Sequence, residues 1–224
     1  MKFNAVATFL VITSLVTLCN PCLAEKERPI VTIDGLQLIK DSNLALVYAQ
    51  PDVNLGRYSK VHLAEPYVAF KKNWQQTRKR YDPSTVTVED MAKMKTELSS
   101  LFMKVFSETL EQGGYELVTE RAEDVLLVKP AIINLDIVAP DIPTANNVRT
   151  YSESAGEMTL YMELYDSATD DLLAKALDRE EDRKTGYFRW QTRITNRAAA
   201  TRILQVWANV LKEGLDEARS PSSP

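Results

Sequence analysis

Met158-Thr159-Leu160-Tyr161-Met162-Glu163-Leu164-Tyr165 alternates without a break, with Met158, Leu160, Met162 and Leu164 on one side and Thr159, Tyr161, Glu163 and Tyr165 on the other. Successive side chains of a β-strand point to opposite faces, so this run predicts a strand with one buried face and one wet face. Asp166-Ser167-Ala168-Thr169-Asp170-Asp171 follows. These short side chains satisfy turn backbone locally, so they predict a hairpin into a second strand over residues 172–178. Upstream, residues 125–138 are mainly apolar and then alternate, with Ile133, Leu135 and Ile137 opposed to Asn134 and Asp136. A Pro-rich polar loop from residue 140 to about 154 separates the two runs.

Two helices complete the pattern. Thr87 with Asp90 three residues on approximates a capping box. From there to about residue 112, Met91, Met94, Leu98, Leu101, Phe102, Val105 and Leu110 recur every three or four positions as one apolar stripe. Gly113-Gly114 ends this helix, and a short strand is expected over residues 115–118. A second helix spans about 195–218, with Ala200, Leu204, Trp207, Leu211 and Leu215 along one face. Residues 58–70 read as a strand in which Pro66, lacking an amide hydrogen, implies an edge or a bulge. The basic stretch 71–80 reads as a loop, and residues 25–55 as an extended arm or edge strand. The expectation is an α+β fold: a mainly antiparallel sheet with two amphipathic helices packed on one face, in a single domain over residues 56–219, followed by a disordered tail at 220–224.

The first 24 residues read as a secretory signal peptide: Lys2, an uncharged run from Ala5 to Leu18, a Pro21 break and Cys22-Leu23-Ala24 with small residues at −3 and −1. That apolar run is short of the ~20 residues a spanning helix needs. Both cysteines, Cys19 and Cys22, precede the expected cut, so the mature chain has no thiol for a disulfide, a nucleophile or a zinc site. A lipoprotein reading is the rival, but Thr17-Leu18 before Cys19 and Asn20-Pro21 before Cys22 fit acylation poorly, so lipid anchoring is disfavoured. The formal charge of −4 argues against nonspecific nucleic-acid binding. These features point to the periplasm, with no membrane-spanning helix after cleavage.

Catalytic signals are sparse. His62 is the single histidine, it lies in an expected strand, and no Gly-x-Ser-x-Gly elbow accompanies it. Asp166, Asp170 and Asp171 could offer oxygen ligands to calcium, but Ala168 occupies the second ligand position and no loop glycine follows, so a hairpin turn is the plainer reading. Glu180, Glu181 and Asp182 form an acidic run read as a solvated strand end, against paired carboxylates for glycoside hydrolysis. No phosphate-binding glycine loop occurs, and no cofactor is expected. Two stretches mix aromatics with cations: Lys71-Lys72-Asn73-Trp74 with Arg78-Lys79-Arg80-Tyr81, and Tyr187-Phe188-Arg189-Trp190 with Arg193 and Arg197. Trp74, Arg78, Lys79, Arg80, Arg189 and Trp190 are the binding candidates, because aromatic faces and cations together suit sugars, anionic headgroups or acidic partners. In the plainer reading the rings tuck against the sheet and the cations stay solvated.

Gly56-Arg57-Tyr58-Ser59-Lys60-Val61 running toward Glu65-Pro66, the strand from Met158 with its Asp166-Ser167-Ala168-Thr169 turn and Leu172-Leu173-Ala174, and the closing Trp207-Ala208 with Leu211, Leu215 and Asp216 form an ordered set. In that order the set resembles the bacterial exported family called domain of unknown function 3313, over roughly residues 56–219. The resemblance implies a Gram-negative envelope protein, often a lipoprotein, with no established activity, so no functional residue is carried over. The expected role is a non-enzymatic binding or assembly module with an envelope protein or polymer as partner. A carboxylate-dependent hydrolase using Asp166, or Glu180 with Asp182, and a small-ligand carrier are the alternatives.

Overall fold

The computed structural model describes residues 31–81, 86–138, 151–152, 155–182, 189–190 and 193–220. The expected signal peptide with Cys19 and Cys22, most of the loop 140–154 and the tail beyond Ser220 lie outside the described residues.

Eight strands form one sheet. In chain order they are β1 (Gln37–Ile39), β2 (Leu46–Ala49), β3 (Lys60–Leu63), β4 (Tyr67–Phe70), β5 (Glu116–Leu117), β6 (Val125–Ile137), β8 (Gly156–Asp166) and β9 (Leu172–Glu181). Their order across the sheet is β1-β2-β9-β8-β6-β3-β5, with β4 also paired to β6. The β8–β9 hairpin and the long β6–β8 pairing follow the alternation expected from the sequence. β7 (Tyr151–Ser152) and β10 (Arg189–Trp190) form a separate two-stranded ladder.

The sheet is mixed rather than mainly antiparallel, because β3 and β4 both run parallel to β6, and β3 parallel to β5. Alternation reports which face is buried and carries no information on strand direction. Direction is set here by a helical crossover, which parallel neighbours require. Residues 58–70 form two consecutive strands along one edge of β6, interrupted before Tyr67 at Pro66, which has no amide hydrogen to donate. Part of the expected N-terminal arm, β1 and β2, belongs to the same sheet, with β1 at its edge.

Three helices are described: α1 (Trp74–Tyr81), α2 (Val88–Gln112) and α3 (Arg193–Arg219). The basic stretch expected as a loop is therefore helical. Its polar sequence has no apolar stripe to announce a helix; Trp74 anchors it, stacked on Phe70 with ring centroids 4.4 Å apart and donating to Asp136. α2 begins at the capping box the sequence predicts, with Thr87 accepting from the Asp90 amide and the Asp90 carboxylate accepting from the Thr87 amide. It stops at Gly113-Gly114, where Gly114 has φ +80°.

α2 and α3 pack on each other and on one sheet face. Leu98, Phe102, Phe106 and Leu110 of α2, Leu204, Trp207, Leu211 and Leu215 of α3, and Val61, Leu126, Val128, Ile132, Leu160 and Met162 of the sheet share one core. Burying such side chains is worth about 1.5–3 kcal/mol each, the main force holding helices to sheet. The opposite face, reached by every second residue of the same strands, carries His62, Tyr67, Leu127, Lys129, Tyr161, Glu163, Tyr165 and Lys175.

Candidate functional site

Trp74 is turned inward, only 4% exposed, and its indole Nε1–H donates to Asp136 Oδ1 at 3.1 Å. The Arg78 guanidinium lies 5.9 Å from the Trp74 ring centre and donates to the carbonyls of Ile137, the last residue of β6, and Val138 just beyond it. Lys71 is shared between Glu157 at 3.2 Å and Asp136 at 3.4 Å, and Arg179 also pairs with Glu157. The hydrogen bond from Arg179 holds the Glu157 carboxyl below its ordinary range, over the opposing effect of burial and with help from Lys71. This stretch therefore fastens α1 to the ends of β6 and β8, and Lys72 and Lys79 are exposed cations on it. The side chains of Arg80, Arg189 and Trp190 lie outside the described set; the backbones of Arg189 and Trp190 pair with Ser152 and Tyr151.

Asp166, Asp170, Asp171 and Asp182 each have a side-chain partner. Asp166, 4% exposed, accepts from Arg57 Nη2 at 2.8 Å, the Tyr58 hydroxyl at 2.9 Å, the Ala168 amide at 2.8 Å and the Thr169 amide at 3.0 Å. Burial opposes its ionisation, but these donors outweigh it and lower its pKa; burial and the bond to Asp166 push the Tyr58 phenol up to about 12. Asp170 takes a bidentate pair from Arg121 at 2.7 and 2.9 Å, and Asp171 accepts from the Thr169 hydroxyl at 2.7 Å. This is a side-chain-braced hairpin turn. Asp182 accepts from Arg202 at 2.6 Å and from the Ala155 amide at 3.1 Å.

Glu180 lies on the helix side of β9, two residues from buried Asp178, which accepts from the Trp207 indole at 2.7 Å and the Ala45 amide at 2.9 Å. Burial raises the Glu180 pKa, and the Asp178 charge adds to it. Glu180 faces Met158 across the ladder, eight residues along β8 from Asp166. At ~3.4 Å per residue the two positions are about 27 Å apart, well past the ~9.5 Å limit for a carboxylate pair in glycoside hydrolysis. Among the described residues no cluster of three His, Cys, Asp or Glu could hold a metal ion. His62 is half-buried on the helix-free face opposite Leu127.

The face opposite α2 and α3 gathers aromatic and charged side chains from several strands. Glu163 accepts from both flanking phenols, Tyr161 and Tyr165, the latter at 2.7 Å, so the two rings are pinned along the strand toward one carboxylate. Burial and Glu163 raise both phenol pKa values, that of Tyr165 to about 12. The Lys129 ammonium sits 4.1 Å from the Tyr165 ring centre, a cation–π contact. Lys175 bridges to Asp34 at 2.5 Å and stands 3.8 Å from Glu163. Tyr67 is 67% exposed beside this row, on β4. The signal in the sequence is the second face of the alternating strand, Tyr161-x-Glu163-x-Tyr165, where alternation alone marks only a wet side.

The fold and this arrangement define an α+β protein with α2 and α3 on one sheet face and the Tyr161-Glu163-Tyr165 row on the other. The profile of a family described as "Protein of unknown function (DUF3313)" matches residues 34–211, and the chain belongs to that family. A comparison with curated proteins returns no match. Among solved structures, the chain is similar to a PelC dodecamer from Paraburkholderia phytofirmans at 12% identity and TM-score 0.37, covering 74% of this chain and 96% of that one. It is also similar to a candidate lipoprotein from Caulobacter crescentus at 10% identity and TM-score 0.37, covering 75% and 96%. A DUF4136 family protein from Bacteroides thetaiotaomicron is a third, at 12% identity and TM-score 0.34, covering 83% and 97%. No helix among the described residues is long and apolar enough to cross a membrane.

Proposed function

We propose that this protein is a non-catalytic binding or assembly module of the Gram-negative cell envelope, exported to the periplasm, that engages a partner protein through the helix-free face of its sheet. The observation that carries this reading is the row Tyr67, Tyr161, Glu163, Tyr165 and Lys129 on that face. Tyrosines supply large contact area with little conformational freedom to lose, and pinning Tyr161 and Tyr165 through Glu163 lowers the ordering cost of binding further. Aromatic residues are also enriched at protein interfaces. The binding reading is preferred over the hydrolase alternative because Asp166 is paired with Arg57, and Asp182, the proposed partner of Glu180, is paired with Arg202.

The test uses the mature chain carrying Tyr67→Ser with Lys129→Glu, compared with wild type and with Glu89→Lys on the outer side of α2, in capture from envelope extract. Loss of a discrete captured protein in the first variant alone is the expected result. Capture that survives in the first variant, or that persists after the extract is digested with protease, overturns the reading; the latter outcome points to a polymer.

A further inference from the structure

We infer that residues 31–36 form a latch over the helix-free face, closed by Asp34 on Lys175, that limits access to Tyr161 and Tyr165. This rests on that face being the binding surface proposed above. The segment is a tight turn in which the Thr32 amide donates to the Leu36 carbonyl at 2.9 Å, the Gly35 amide to the Thr32 carbonyl at 3.0 Å and the Leu36 amide to the Thr32 hydroxyl at 3.1 Å. Gly35 has φ +78°, a backbone conformation that glycine adopts without strain, so the turn is locally stable as a unit. Its direction is set by two side chains. Leu36 is fully buried, while Asp34 reaches Lys175 on the face away from the helices.

The remaining side chains hold it weakly. Ile33 is fully exposed and Val31 is 52% exposed, so apart from Leu36 the turn contributes little apolar burial. The Asp34–Lys175 pair is itself open to solvent, with side chains 47% and 24% exposed. Lys175 also has a second carboxylate within reach, Glu163 at 3.8 Å. The same Glu163 pins the two phenols. When Asp34 leaves, Lys175 can turn to Glu163 and compete for the oxygens that hold Tyr161 and Tyr165, so opening the latch also loosens the aromatic row. An exposed ion pair biases such an equilibrium by up to about fivefold, enough for a switch and too little for a permanent clamp.

The experiment is hydrogen exchange and hydroxyl-radical footprinting on the mature chain, comparing wild type with Asp34→Asn and Lys175→Met at low and at 0.5 M salt. Expected are about three- to fivefold faster exchange of the Gly35, Leu36 and Gln37 amides in both variants and a matching rise in Tyr161 footprinting. Wild type should approach the variants at ~0.5 M salt, where the screening length shortens to a few ångströms. The Leu160 amide, deep in the sheet, should not change. Unchanged exchange at 35–37, or faster exchange there without a rise in Tyr161 footprinting, overturns the latch. Neither readout uses the partner, so a chain that captures nothing yet shows these changes refutes the proposed binding role and leaves the latch standing.

Discussion

The Tyr58 hydroxyl donates to the Asp166 carboxylate at 2.9 Å, joining positions 108 residues apart. Through it the segment that opens the family pattern meets the turn at its centre. Arg219 closes the third side, donating to the Tyr58 carbonyl at 3.1 Å and stacking on Tyr115, whose hydroxyl reaches Asp216 at 2.9 Å. The residues that carry the family resemblance thus brace one another. Tyr58→Phe removes one of four donors to a buried carboxylate and should cost about 1–2 kcal/mol, whereas Asp166→Ala strands several donors and should cost about 3 kcal/mol or more. Urea denaturation measures both; equal costs would contradict this account.

Gly56 and Gly214 make a paired prediction. A Cβ on Gly56 would lie 2.2 Å from the Ala218 carbonyl oxygen, backbone that cannot swing aside, while one on Gly214 meets nothing within 4 Å. Gly56→Ala should therefore push the end of α3 away and lower the Tm by several degrees. Gly214→Ala, in the middle of a helical turn, should stabilise by about 0.5–1 kcal/mol. Thermal melts of the two proteins should move in opposite directions.

Trp207→Phe keeps an aromatic ring in the core but removes the indole donor from Asp178, a carboxylate only 7% exposed. Leaving that group short of a partner and losing ring volume should cost about 2–4 kcal/mol. Asp178→Asn combined with Trp207→Phe should cost less than the sum of the two single changes, because the unpaired charge is gone; a double-mutant cycle reads this directly.

Much of this was legible in the chain. The α2 capping box, the stripe from Met91 to Leu110, the β8–β9 hairpin and α3 all follow local rules in which spacing or a cap residue determines structure. What escaped depends on distant partners. α1 is fastened through Trp74 to Asp136, 62 residues away, and no window of its own sequence contains that contact. β3 and β4 are parallel to β6 because α2 carries the chain across, which alternation cannot report. Trp74 and Arg78 are neighbours in sequence, but adjacency along a helix does not place them outward: both turn toward the end of β6. The Tyr161-Glu163-Tyr165 row was visible, but only the bareness of that sheet face gives it a role.

Glu180 gives the pH prediction. Its pKa is raised in the folded state, so its neutral form is favoured by folding: that contribution is complete below the unfolded value of ~4.3 and is lost as pH rises through the folded value. Glu180→Gln should therefore be more stable than wild type at pH 7, with the advantage vanishing below about pH 4. Asp166 acts in the opposite sense. Its lowered pKa means its contribution is complete above ~3.9 and is lost as pH falls through the folded value, so Asp166→Asn should flatten the acid limb of the stability curve. Urea midpoints from pH 3 to 8 separate the two.

Arg78 and Lys79 should part company as well. Arg78→Ala uncovers the Ile137 and Val138 carbonyls and removes the cation beside Trp74, at a cost of about 1–2 kcal/mol. Lys79→Ala, at an exposed position, should stay within about 0.5 kcal/mol of wild type. If the pair instead lost partner capture equally with no change in stability, the basic stretch rather than the bare sheet face would be the contact surface.

The most direct measurement is site-specific photo-crosslinking in intact cells, with the probe at Tyr67 on the helix-free face and, as control, at Val88 at the exposed start of α2, 70% exposed. The account predicts a discrete protein adduct from Tyr67 and none from Val88. An adduct from Val88 alone, or equal labelling from both, would contradict it.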